Sequence, residues 1–592
     1  MGDPTHTASI IGAVDNEGTL NIVNANTTGI TSITNNGGEI TFSNATSAST
    51  AHINNSGGIF FLDASSAGSA TISNHFGSIF FGLPGSMDTS TAGKATIDNN
   101  NGGTIFSAFT NAGTATITNR NGGGIEFFDS ASAASAIIIN NNHGFTSFGQ
   151  PFGTDAPTAG HATIANNSGG ETHFNAFSTA GNAIITTNSG GSVNFVDYST
   201  GGNAQFITNG TGFVDFSMSS GPNHDNRISA GSIAGSGTYI IGAGNTLTVG
   251  SNNLSTVASG VIADSCGCGP GAPASLEKVG TGTLTLSGIN TFTGTTTVFG
   301  GVLDVEGSTA SSALTTVVAG GALTGAGTVG NTTIATGGIF LPGATTPGSS
   351  TKVAGNLAFQ SGALNLVQLN SATSTFANVT GSATLAGTVG ASFVPGSTVM
   401  KQYMILSFAG TRSGAFDGGC VIGGSGGLVA TVSYDPNHAY LNFALNFGAT
   451  PGLNINQRNV GSALTNFFNT NGSIPAPFAT LAPAGLTQVS GELATGTQQA
   501  TFDAMNLFMG LLTDPFINGR GNNGAGGTGA TPSPPRTTTR ALMLRRNRTP
   551  RAMPLPNSRP RPTRRATTCS IRAGAYGAQA MAAAAPPMAM RH

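Results

Sequence analysis

The stretch Ala95–Phe106, A-T-I-D-N-N-N-G-G-T-I-F, contains the pattern on which the fold depends. A short alternation of polar and apolar residues runs into Asn and Gly residues, and a second apolar run ends in Phe. Alternation over a few residues is typical of a β-strand, and Asn-Gly clusters are typical of turns. The stretch therefore predicts a strand, a turn and a second strand within one short segment.

This pattern recurs along the first 216 residues, with gaps of 19 to 26 residues between successive units. The first apolar anchor of each unit is Ile33, Ile53, Ile72, Ile97, Ile117, Ile138, Ile164, Ile185 or Phe206. From the second unit onward an Ala precedes the anchor by two places, at Ala51, Ala70, Ala95, Ala115, Ala136, Ala162, Ala183 and Ala204. A second anchor follows at Phe42, Phe61, Phe81, Phe106, Phe127, Phe148, Phe174, Phe195 and Phe216.

One such unit cannot cover its own apolar face, but units stacked at the ~4.8 Å strand spacing bury Ile on Ile and Phe on Phe. The sequence therefore predicts an all-β fold, a right-handed parallel β-helix or solenoid. Two places after most first anchors stands an Asn, and we expect these side chains to hydrogen-bond along the stack, at turns whose left-handed conformation Asn tolerates. They are Asn35, Asn55, Asn74, Asn99, Asn119, Asn140 and Asn166, followed by Thr187 and Thr208.

Two units are longer than the others and contain the segments Gly82–Ser90, G-L-P-G-S-M-D-T-S, and Gly149–Pro157, G-Q-P-F-G-T-D-A-P. Insertions in a repeat array map to loops on one side of the stack. Because recognition is concentrated in loops on rigid scaffolds, we expect these two insertion loops to be the contact surfaces.

The composition supports a packed β-fold and argues against several classes of protein. Only 7% of the residues are charged, 89 are Gly and 35 are Phe, whereas disordered chains are usually charged and poor in Ile, Val and Phe. The net charge is −2, but twelve of the 21 Lys and Arg lie at or after Arg536. The preceding body is mildly acidic and is therefore not expected to bind nucleic acid.

The stretch Ser275–Gly307, S-L-E-K-V-G-T-G-T-L-T-L-S-G-I-N-T-F-T-G-T-T-T-V-F-G-G-V-L-D-V-E-G, resembles the passenger-associated repeat of bacterial autotransporters. The matching positions are Lys278, Gly280, Gly282, Leu284, Leu286, Gly288, Asn290, Gly294, Thr296, Val298, Gly300 and Leu303, and Phe292 stands where Tyr is usual. Gly321–Gly343, Val353–Phe359 and Tyr403–Phe416 resemble the coils that follow in that family. The resemblance implies a passenger that is exposed on the outer membrane or secreted through the type V pathway.

The period changes to helical spacing further on, at Val460, Leu464, Phe467 and Phe468 and again at Phe502, Met505, Met509 and Leu512, before Asp514-Pro515. The segment Leu486–Phe508 resembles the helical linker of autotransporters. We therefore divide the chain into a partial coil or cap (1–30), a repeat β-helix (31–220), irregular coils with a C-G-C loop (221–274), the passenger-associated repeat with its coils (275–450), a helical linker (451–520) and a disordered Arg/Pro-rich tail (521–592).

The resemblance implies a β-barrel after the linker, yet 72 residues follow Arg520, whereas eight strands need ~80. Three interpretations of this basic tail are open. The first is a segment that binds nucleic acid or anionic lipid, and the second is a solvated linker. The third, which we favour, is the product of a shifted reading frame. The N-terminus has no basic region and only a short apolar run, so no signal peptide is visible, which also fits an incomplete gene product.

Enzymes on this fold require carboxylates clustered on neighbouring coils, so we considered Asp63, Glu126, Asp129, Glu171, Asp197 and Asp215. Counted from their first anchors, these residues do not fall in one ladder, which predicts solvated turn carboxylates. The segment Gly423–Gly427, G-G-S-G-G, matches the nucleophile-elbow pattern only formally, since no strand-to-helix turn is expected there. The nine His include the neighbours His161 and His173 but no metal-binding spacing.

The four Cys suggest no pairing framework. Cys266 and Cys268 form C-G-C, Cys420 is alone, and Cys569 lies in the basic tail. The C-G-C segment is either a loop with free or locally bridged thiols, which we favour, or an unusual clip or weak metal-ligand pair. We assign no catalytic residue, no cofactor and no metal.

The sequence thus predicts a non-enzymatic autotransporter passenger of the adhesin or aggregation type, here shortened. Its expected partners are ligands on host or neighbouring cells and, when a barrel is present, the outer-membrane assembly machinery. The alternatives are a β-helix carbohydrate-active enzyme, which a carboxylate cluster on adjacent coils would indicate, and a gene fragment without a function.

Overall fold

A computed structural model describes residues 8–265, 272–422 and 427–513, and it contains a parallel β-helix, as predicted. The first of its sheets, which we call the asparagine sheet, is formed by parallel strands that contain the first anchors. In spatial order these strands are Ala8–Asn16, Ala25–Asn35, His52–Asn55, Thr71–His75, Thr96–Asn100, Thr116–Arg120, Ile137–Asn140, Thr163–Asn166, Ile184–Thr187, Gln205–Thr208 and Ser232–Ala234.

The second sheet, the phenylalanine sheet, contains the second anchors and is also parallel. Its strands are Thr19–Val23, Glu39–Ser43, Gly58–Phe61, Ser78–Phe81, Gly103–Phe106, Gly124–Phe127, Phe145–Phe148, Glu171–Phe174, Ser192–Asp197, Phe213–Ser219, Thr238–Ile240 and Val261–Ala263. A third side consists of single parallel bridges between successive coils, at Ser47, Ser66, Thr91, Asn111, Ser132, Thr158, Thr179 and Thr200.

The predicted Phe ladder is confirmed as a continuous stack of buried rings. From Phe42 to Phe195 each ring lies nearly parallel to the next, with centroids 4.4 to 5.0 Å apart. The Ile anchors and the Ala residues that precede them are equally buried. Because each unit presents the same side chain at the same place, stacking fills the core with like residues in register.

The predicted Asn ladder is also present. From Asn16 to Asn166 the Nδ2 of each buried Asn donates to the Oδ1 of the next, over 2.7 to 3.0 Å. The ladder ends at Thr187 and Thr208, whose hydroxyl oxygens have no hydrogen-bond partner among the described residues. The side-chain amides of such a buried chain keep their hydrogen-bond partners only while the strands stay in register.

The expectation that the ladder Asn adopt the left-handed conformation is wrong. Ladder residues such as Asn99 and Asn119 lie at the ends of strands, and positive φ occurs two places later, at Asn101 (56°) and Asn121 (54°). The Gly residues of the turn serve close packing instead, since a Cβ at Gly123 would lie 2.3 Å from the carbonyl oxygen of Asn99 in the coil before.

Beyond residue 220 three further sheets begin, while the first two sheets end at Ala234 and Ala263. The third sheet is parallel and contains Arg227–Ala230, Thr246–Val249, Ser275–Lys278, Thr295–Val298, Leu314–Val317, Thr332–Ile334, Leu357–Phe359, Ala383–Leu385 and Arg412–Gly414. The fourth sheet, also parallel, contains Thr256–Ala258, Thr283–Leu286, Gly301–Val305, Gly321–Gly325, Ile339–Pro342, Leu364–Leu369, Thr388–Phe393 and Gly418–Val421.

The fifth sheet closes the far end of the solenoid. Its strands are Ser308–Thr309, Thr328–Val329, Ser350–Val353, Phe376–Val379, Gln402–Phe408, His438–Leu445 and Leu428–Tyr434, of which the last two form an antiparallel hairpin. A further antiparallel pair joins Thr398–Met400 to Ser473–Pro475. An antiparallel hairpin cannot be continued by another parallel coil, so it ends the stack.

The predicted helical segment follows and contains four helices, α1 (Ile455–Asn471), α2 (Ala476–Ala479), α3 (Pro483–Ser490) and α4 (Glu492–Thr513). Asn454 caps α1 in a capping box with Gln457, and Gly472 ends it in the left-handed conformation. Phe468 is buried against the solenoid, whereas Phe502 and the other apolar residues of α4 are exposed. Among the described residues, no helix has the length and apolar character needed to cross a bilayer.

The prediction that Cys420 stands alone is wrong, because its sulfur is disulfide-bonded. The other three cysteines, Cys266, Cys268 and Cys569, lie outside the described residues, as do residues 423–426 of the G-G-S-G-G segment and the whole tail from 521 to 592.

Candidate interaction edge

The edge that follows the phenylalanine sheet is built around one column of residues, one from each coil. In coils of ordinary length the column residue stands two places after the ladder Phe, as Asp63 after Phe61 and Asp129 after Phe127, and it has a left-handed φ of 58° and 53° respectively. Asp tolerates this conformation better than most residues because its short side chain can hydrogen-bond locally. The turn geometry thus favours Asp at this position.

In the two long coils the same column position is occupied by Asp88 and Asp155. The N–H of Thr89 donates to the carbonyl oxygen of Asp63 (2.7 Å), and the N–H of Phe109 donates to that of Asp88 (3.1 Å). The second long coil repeats these bonds, from Ala156 to Asp129 (2.9 Å) and from Phe177 to Asp155 (3.0 Å). Each long coil therefore returns to register after five extra residues, Leu83–Met87 and Gln150–Thr154.

The prediction that the carboxylates do not fall in one ladder is therefore wrong for three of them. Asp63, Asp129 and Asp197 each stand two places after the second anchor, and the structure stacks them in one column. The error came from counting from the first anchor, across a turn whose length varies. We call the set the aspartate column, and its members in order are Asp63, Asp88, Ala108, Asp129, Asp155, Ala176 and Asp197.

Four of the five carboxylates in this column, those of Asp63, Asp88, Asp129 and Asp197, cap the coil before them. The N–H of Asn44 donates to Asp63 Oδ2 (2.8 Å), that of Asp63 to Asp88 Oδ1 (2.7 Å), and that of Ala108 to Asp129 Oδ2 (2.8 Å). A carboxylate that accepts a backbone N–H makes a charge-assisted hydrogen bond, which is stronger than a neutral one. The column therefore supplies acceptors for backbone N–H groups that have no partner in a neighbouring strand.

The same carboxylates hold the first insertion loop, Gly82–Ser90. Asp88 Oδ2 accepts from the N–H of Leu83 (3.0 Å) and from the hydroxyl of Ser86 (2.7 Å). Asp129, two coils further on, accepts from the N–H of Gly85 (3.3 Å). The loop is thus fixed both by its own aspartate and by a distant one.

The second insertion loop, Gly149–Pro157, is held in the same way. Asp155 Oδ2 accepts from the N–H of Gln150 (3.4 Å), and Asp197 Oδ2 accepts from the N–H of Phe152 (2.8 Å). Asp88 and Asp155 are 67 residues apart, and Gly85 and Phe152 are also 67 apart. The two loops therefore belong to a larger repeat of three coils, which the 20-residue pattern conceals.

Apolar side chains protrude from both loops. Met87 is 81% exposed in the first loop and Phe152 is 91% exposed in the second. Phe109 and Phe177, each directly after an Ala of the column, are also partly exposed. Large apolar side chains grouped on a fixed surface are typical of interaction sites.

The edge is acidic as well as apolar. Between residues 61 and 200 the chain has eight Asp and Glu but only two basic residues, Lys94 and Arg120. Arg120 forms a bidentate pair with Asp98 in the asparagine sheet, and the backbone N–H of Lys94 bonds Gly68 at a different corner. Neither of these two described residues forms an ion pair with an aspartate of the column.

The remaining predicted carboxylates do not join the column. Glu126 lies on the outer face of the phenylalanine sheet, where burial raises its pKa. Glu171 pairs with His173 at 3.0 Å, and Asp215 accepts from the N–H of Ser217. In the described part of the chain, no three His, Cys, Asp or Glu side chains are grouped as metal ligands would be.

One pair of carboxyl groups, Asp304 and Glu306, was not predicted from the sequence. Burial raises the pKa of Asp304, which accepts from Thr285 (3.0 Å), and burial and the charge of Asp304 both raise the pKa of Glu306. They lie on and just after one strand, Gly301–Val305, rather than on neighbouring coils. The two carboxyl groups of an acid/base pair must flank the bond that is cleaved. Two carboxyl groups at neighbouring positions of one coil cannot lie on both sides of such a bond.

A groove of about 290 Å³ at the far end of the solenoid is lined by Ser407 and His438, and Asp435 contacts the imidazole of His438. His438 Nδ1 contacts Asp435 at 2.9 Å, but that carboxylate also accepts the N–H groups of Asn437 and His438, as in an ordinary turn. Ser407 donates to Asn378 (3.3 Å) rather than to the imidazole. This geometry is that of a capped turn and not of an activated nucleophile.

Comparison with a family model supports the family resemblance. The family model described as passenger-associated-transport-repeat matches residues 276–305, so the predicted resemblance to autotransporter passengers is confirmed there. No curated protein matches the chain. Among solved structures, the fragment titled "Crystal structure of TibC-catalyzed hyper-glycosylated TibA55-350 fragment" is 17% identical, with 62% of this chain and 93% of that chain covered and a TM-score of 0.21.

The matched repeat contributes two successive strands to the third sheet and two to the fourth. Its strands Ser275–Lys278 and Thr295–Val298 pair in the third sheet, and Thr283–Leu286 and Gly301–Val305 pair in the fourth. Phe292 is fully buried, and Asn290 Oδ1 accepts from the N–H of Ile262 in the preceding coil (3.0 Å). The motif is therefore continuous with the rest of the β-helix.

Proposed function

We propose that this chain is an autotransporter passenger that acts by surface contact, as an adhesin or an aggregation factor, and not by catalysis. The family of the matched repeat implies a surface-exposed or secreted protein. The observation that carries the contact role is the aspartate column, which fixes two loops with exposed apolar tips at one edge of a rigid stack.

A rigid scaffold favours binding because the loops lose little conformational entropy when a partner docks. In this edge the loop backbone is already tied to carboxylates two coils away. The proposed partners are ligands on host or neighbouring cells, and for the intact protein also the outer-membrane assembly machinery. The acidic edge disfavours nucleic acid.

The aspartate column places Asp63 beside Asp88 and Asp129 beside Asp155 on neighbouring coils, but the enzymatic alternative is weaker because these carboxylates serve the backbone. The aspartates of the column are occupied as hydrogen-bond acceptors for backbone N–H groups. Asp304 and Glu306 lie within one strand and its end, and the groove at His438 contains a capped turn.

The experiment is to display residues 8–513, with an added export signal and outer-membrane anchor, on non-adherent bacteria. We expect the displaying cells to aggregate or to adhere to an epithelial monolayer more than cells with the anchor alone. Release of reducing sugar from polysaccharides, without adhesion, would instead support the enzymatic alternative. Resequencing the coding DNA from the codon for Leu486 onward tests the expected shift of reading frame.

A further inference from the structure

We infer that the aspartate edge, the aspartate column together with its two insertion loops, docks a cationic amphipathic protein segment that engages both loop tips at once. This inference rests on the proposed function and specifies the partner at the same site. It follows from three features of the edge, which are its charge, its exposed apolar tips and their spacing.

The negative charge of the edge determines that its partner must be positively charged. Five aspartates stack along the column, of which Asp88 is buried and the other four are partly or fully exposed, and none of them forms an ion pair among the described residues. Interaction surfaces of complementary potential steer association and exclude partners of like charge. A partner with Lys or Arg side chains fits this edge, whereas an acidic or anionic partner is repelled.

The apolar tips determine what else the partner must contain. Met87 and Phe152 protrude into solvent above the charged column, and Phe109 and Phe177 lie at their bases. Exposed Met and aromatic residues at the centre of a contact contribute most of its affinity when they enter apolar pockets. The partner must therefore present apolar residues between its cations.

The distance between the two insertion loops allows one partner segment to contact both of them. The two loops are three coils apart, which is about 14 Å at the spacing of parallel strands. An extended chain covers that distance in about four residues. A single segment with alternating cationic and apolar residues therefore reaches both tips, and the second contact is then intramolecular.

The stacked ring pair on this edge does not offer its inner faces to a sugar. Phe177 and Tyr198 stack with centroids 4.8 Å apart, and His224 lies beside the stack, 3.8 Å from Tyr198 and 6.1 Å from Phe177. The facing sides of Phe177 and Tyr198 are therefore closed to a ligand. This arrangement favours a protein partner, whose side chains can pack around the exposed loop residues.

The test uses residues 8–513 and a short fluorescein-labelled peptide of repeated Lys-Leu-Ser, with the Glu-Leu-Ser peptide as the control probe. We expect the Lys peptide to bind, the Glu peptide not to bind, and the affinity for the Lys peptide to fall as salt is raised, since salt screens exposed charges. Equal binding of both peptides, or binding that salt does not weaken, would overturn the inference.

The variants Met87→Ser and Phe152→Ser test the two tips, and Ile137→Ser, at an exposed apolar position of the asparagine sheet, is the matched control. We expect about a threefold loss of affinity for each single variant, at least tenfold for the double variant, and no change for the control. Unchanged affinity of the double variant would contradict docking at this edge, provided that its melting curve matches that of the parent.

A membrane is the competing partner, because exposed Met and Phe side chains also insert into lipid. Vesicles of phosphatidylcholine with a minor fraction of phosphatidylglycerol distinguish the two. We expect no binding to these vesicles, since the edge is acidic, and vesicle binding that the double variant abolishes would overturn the inference. Adhesion of displaying cells without any peptide binding would leave the proposed function intact and reject only this partner.

Discussion

The two halves of the solenoid both stack parallel coils, but they fill the core with different patterns of side chains. In residues 8–220 each column repeats one residue type, such as the Phe ladder with its centroid spacing of 4.4 to 5.0 Å. In residues 221–445 a single inward column of the third sheet passes from Leu247 through Leu276, Thr296 and Thr315 to Thr332. The first half therefore depends on identical partners in matching register, and the second on complementary shapes.

This difference predicts how each half responds to substitution. A ladder residue has identical neighbours on both sides, so its loss disturbs two contacts of the same kind. Solenoid stability is approximately a sum of coil and interface terms, so the damage stays local. We therefore expect the largest effect at the Phe ladder of the first half, smaller effects at its Asn ladder and at Lys278 of the second half, and the smallest effect at the aspartate column.

Phe127→Ala is expected to have the largest effect. The ring is fully buried between Phe106 (5.0 Å) and Phe148 (4.8 Å), so its removal opens a cavity and breaks two stacks. We expect a loss of about 3–5 kcal/mol in the free energy of unfolding of the first half, measured by urea denaturation. Leu303→Ala in the second half is the matched change, and a larger loss there than at Phe127 would contradict the comparison.

Asn119→Ala tests the polar ladder. The substitution removes the bonds of Asn119 to Asn99, to Asn140 and to the carbonyl oxygen of Phe145, although Asn99 Nδ2 still donates to Gly124 (3.2 Å) and Asn140 Oδ1 still accepts from Thr146 (3.1 Å). We expect a loss of about 1–3 kcal/mol, because three hydrogen bonds of the buried ladder are lost. Thr187→Val is the control, since the hydroxyl of Thr187 already lacks a partner among the described residues, and it should not lower stability. An equal loss of stability in both variants would show that the Asn hydrogen bonds do not stabilise the solenoid specifically.

Lys278 gives the second half a dependence on pH. Its side chain lies in the core, where Nζ donates to the carbonyl oxygens of Val279 (2.6 Å) and Gly300 (3.1 Å), and burial lowers its pKa to about 8. Between about pH 8 and its ordinary value of 10.5 the unfolded chain binds more protons than the folded one, so this group raises stability as pH rises.

We therefore expect the difference in melting temperature between the parent and Lys278→Met to change in favour of the parent across this pH window. The variant removes the titrating group and keeps most of the apolar stem. A difference that stays constant between about pH 8 and 10.5 would mean that the buried amine does not titrate in this range.

Asp129→Ala is expected to have the smallest effect on global stability but a clear local one. It releases the N–H of Ala108 and that of Gly85 in the first insertion loop. We expect amide exchange at these two positions to accelerate about fivefold, which corresponds to about 1 kcal/mol. Asp129→Asn, which keeps an acceptor oxygen, should give a smaller change, and Asp98→Ala, on the asparagine sheet, should leave both amides unchanged.

The ladders are predictable from the sequence because each unit repeats the same residue at the same spacing. Phe42 to Phe216 and Asn35 to Asn166 can be placed in register from their spacing alone, since a one-residue slip would expose the whole column. The passenger-associated repeat is predictable for the same reason, because its Gly, Asn and Lys occupy fixed positions within two coils.

The aspartate column was not predicted because its register depends on the second anchor and its longer coils contain five extra residues. Asp88 and Asp155 appear in the sequence as loop residues, and only the backbone bonds of Thr89 and Ala156 show that they belong to the column. The bonds from Gly85 to Asp129 and from Phe152 to Asp197 span 44 and 45 residues. No local pattern indicates contacts that a solenoid creates between coils two turns apart.

The central claim, that the aspartate edge is the contact surface, is tested most directly by removing both insertions from the displayed protein. Deletion of Leu83–Met87 and of Gln150–Thr154 restores the ordinary spacing between the ladder Phe and the column aspartate in each coil. We predict that cells displaying this double deletion no longer aggregate or adhere, although the purified variant melts as the parent does. Full adhesion by cells displaying the deleted protein would contradict the claim and place the contact surface elsewhere on the solenoid.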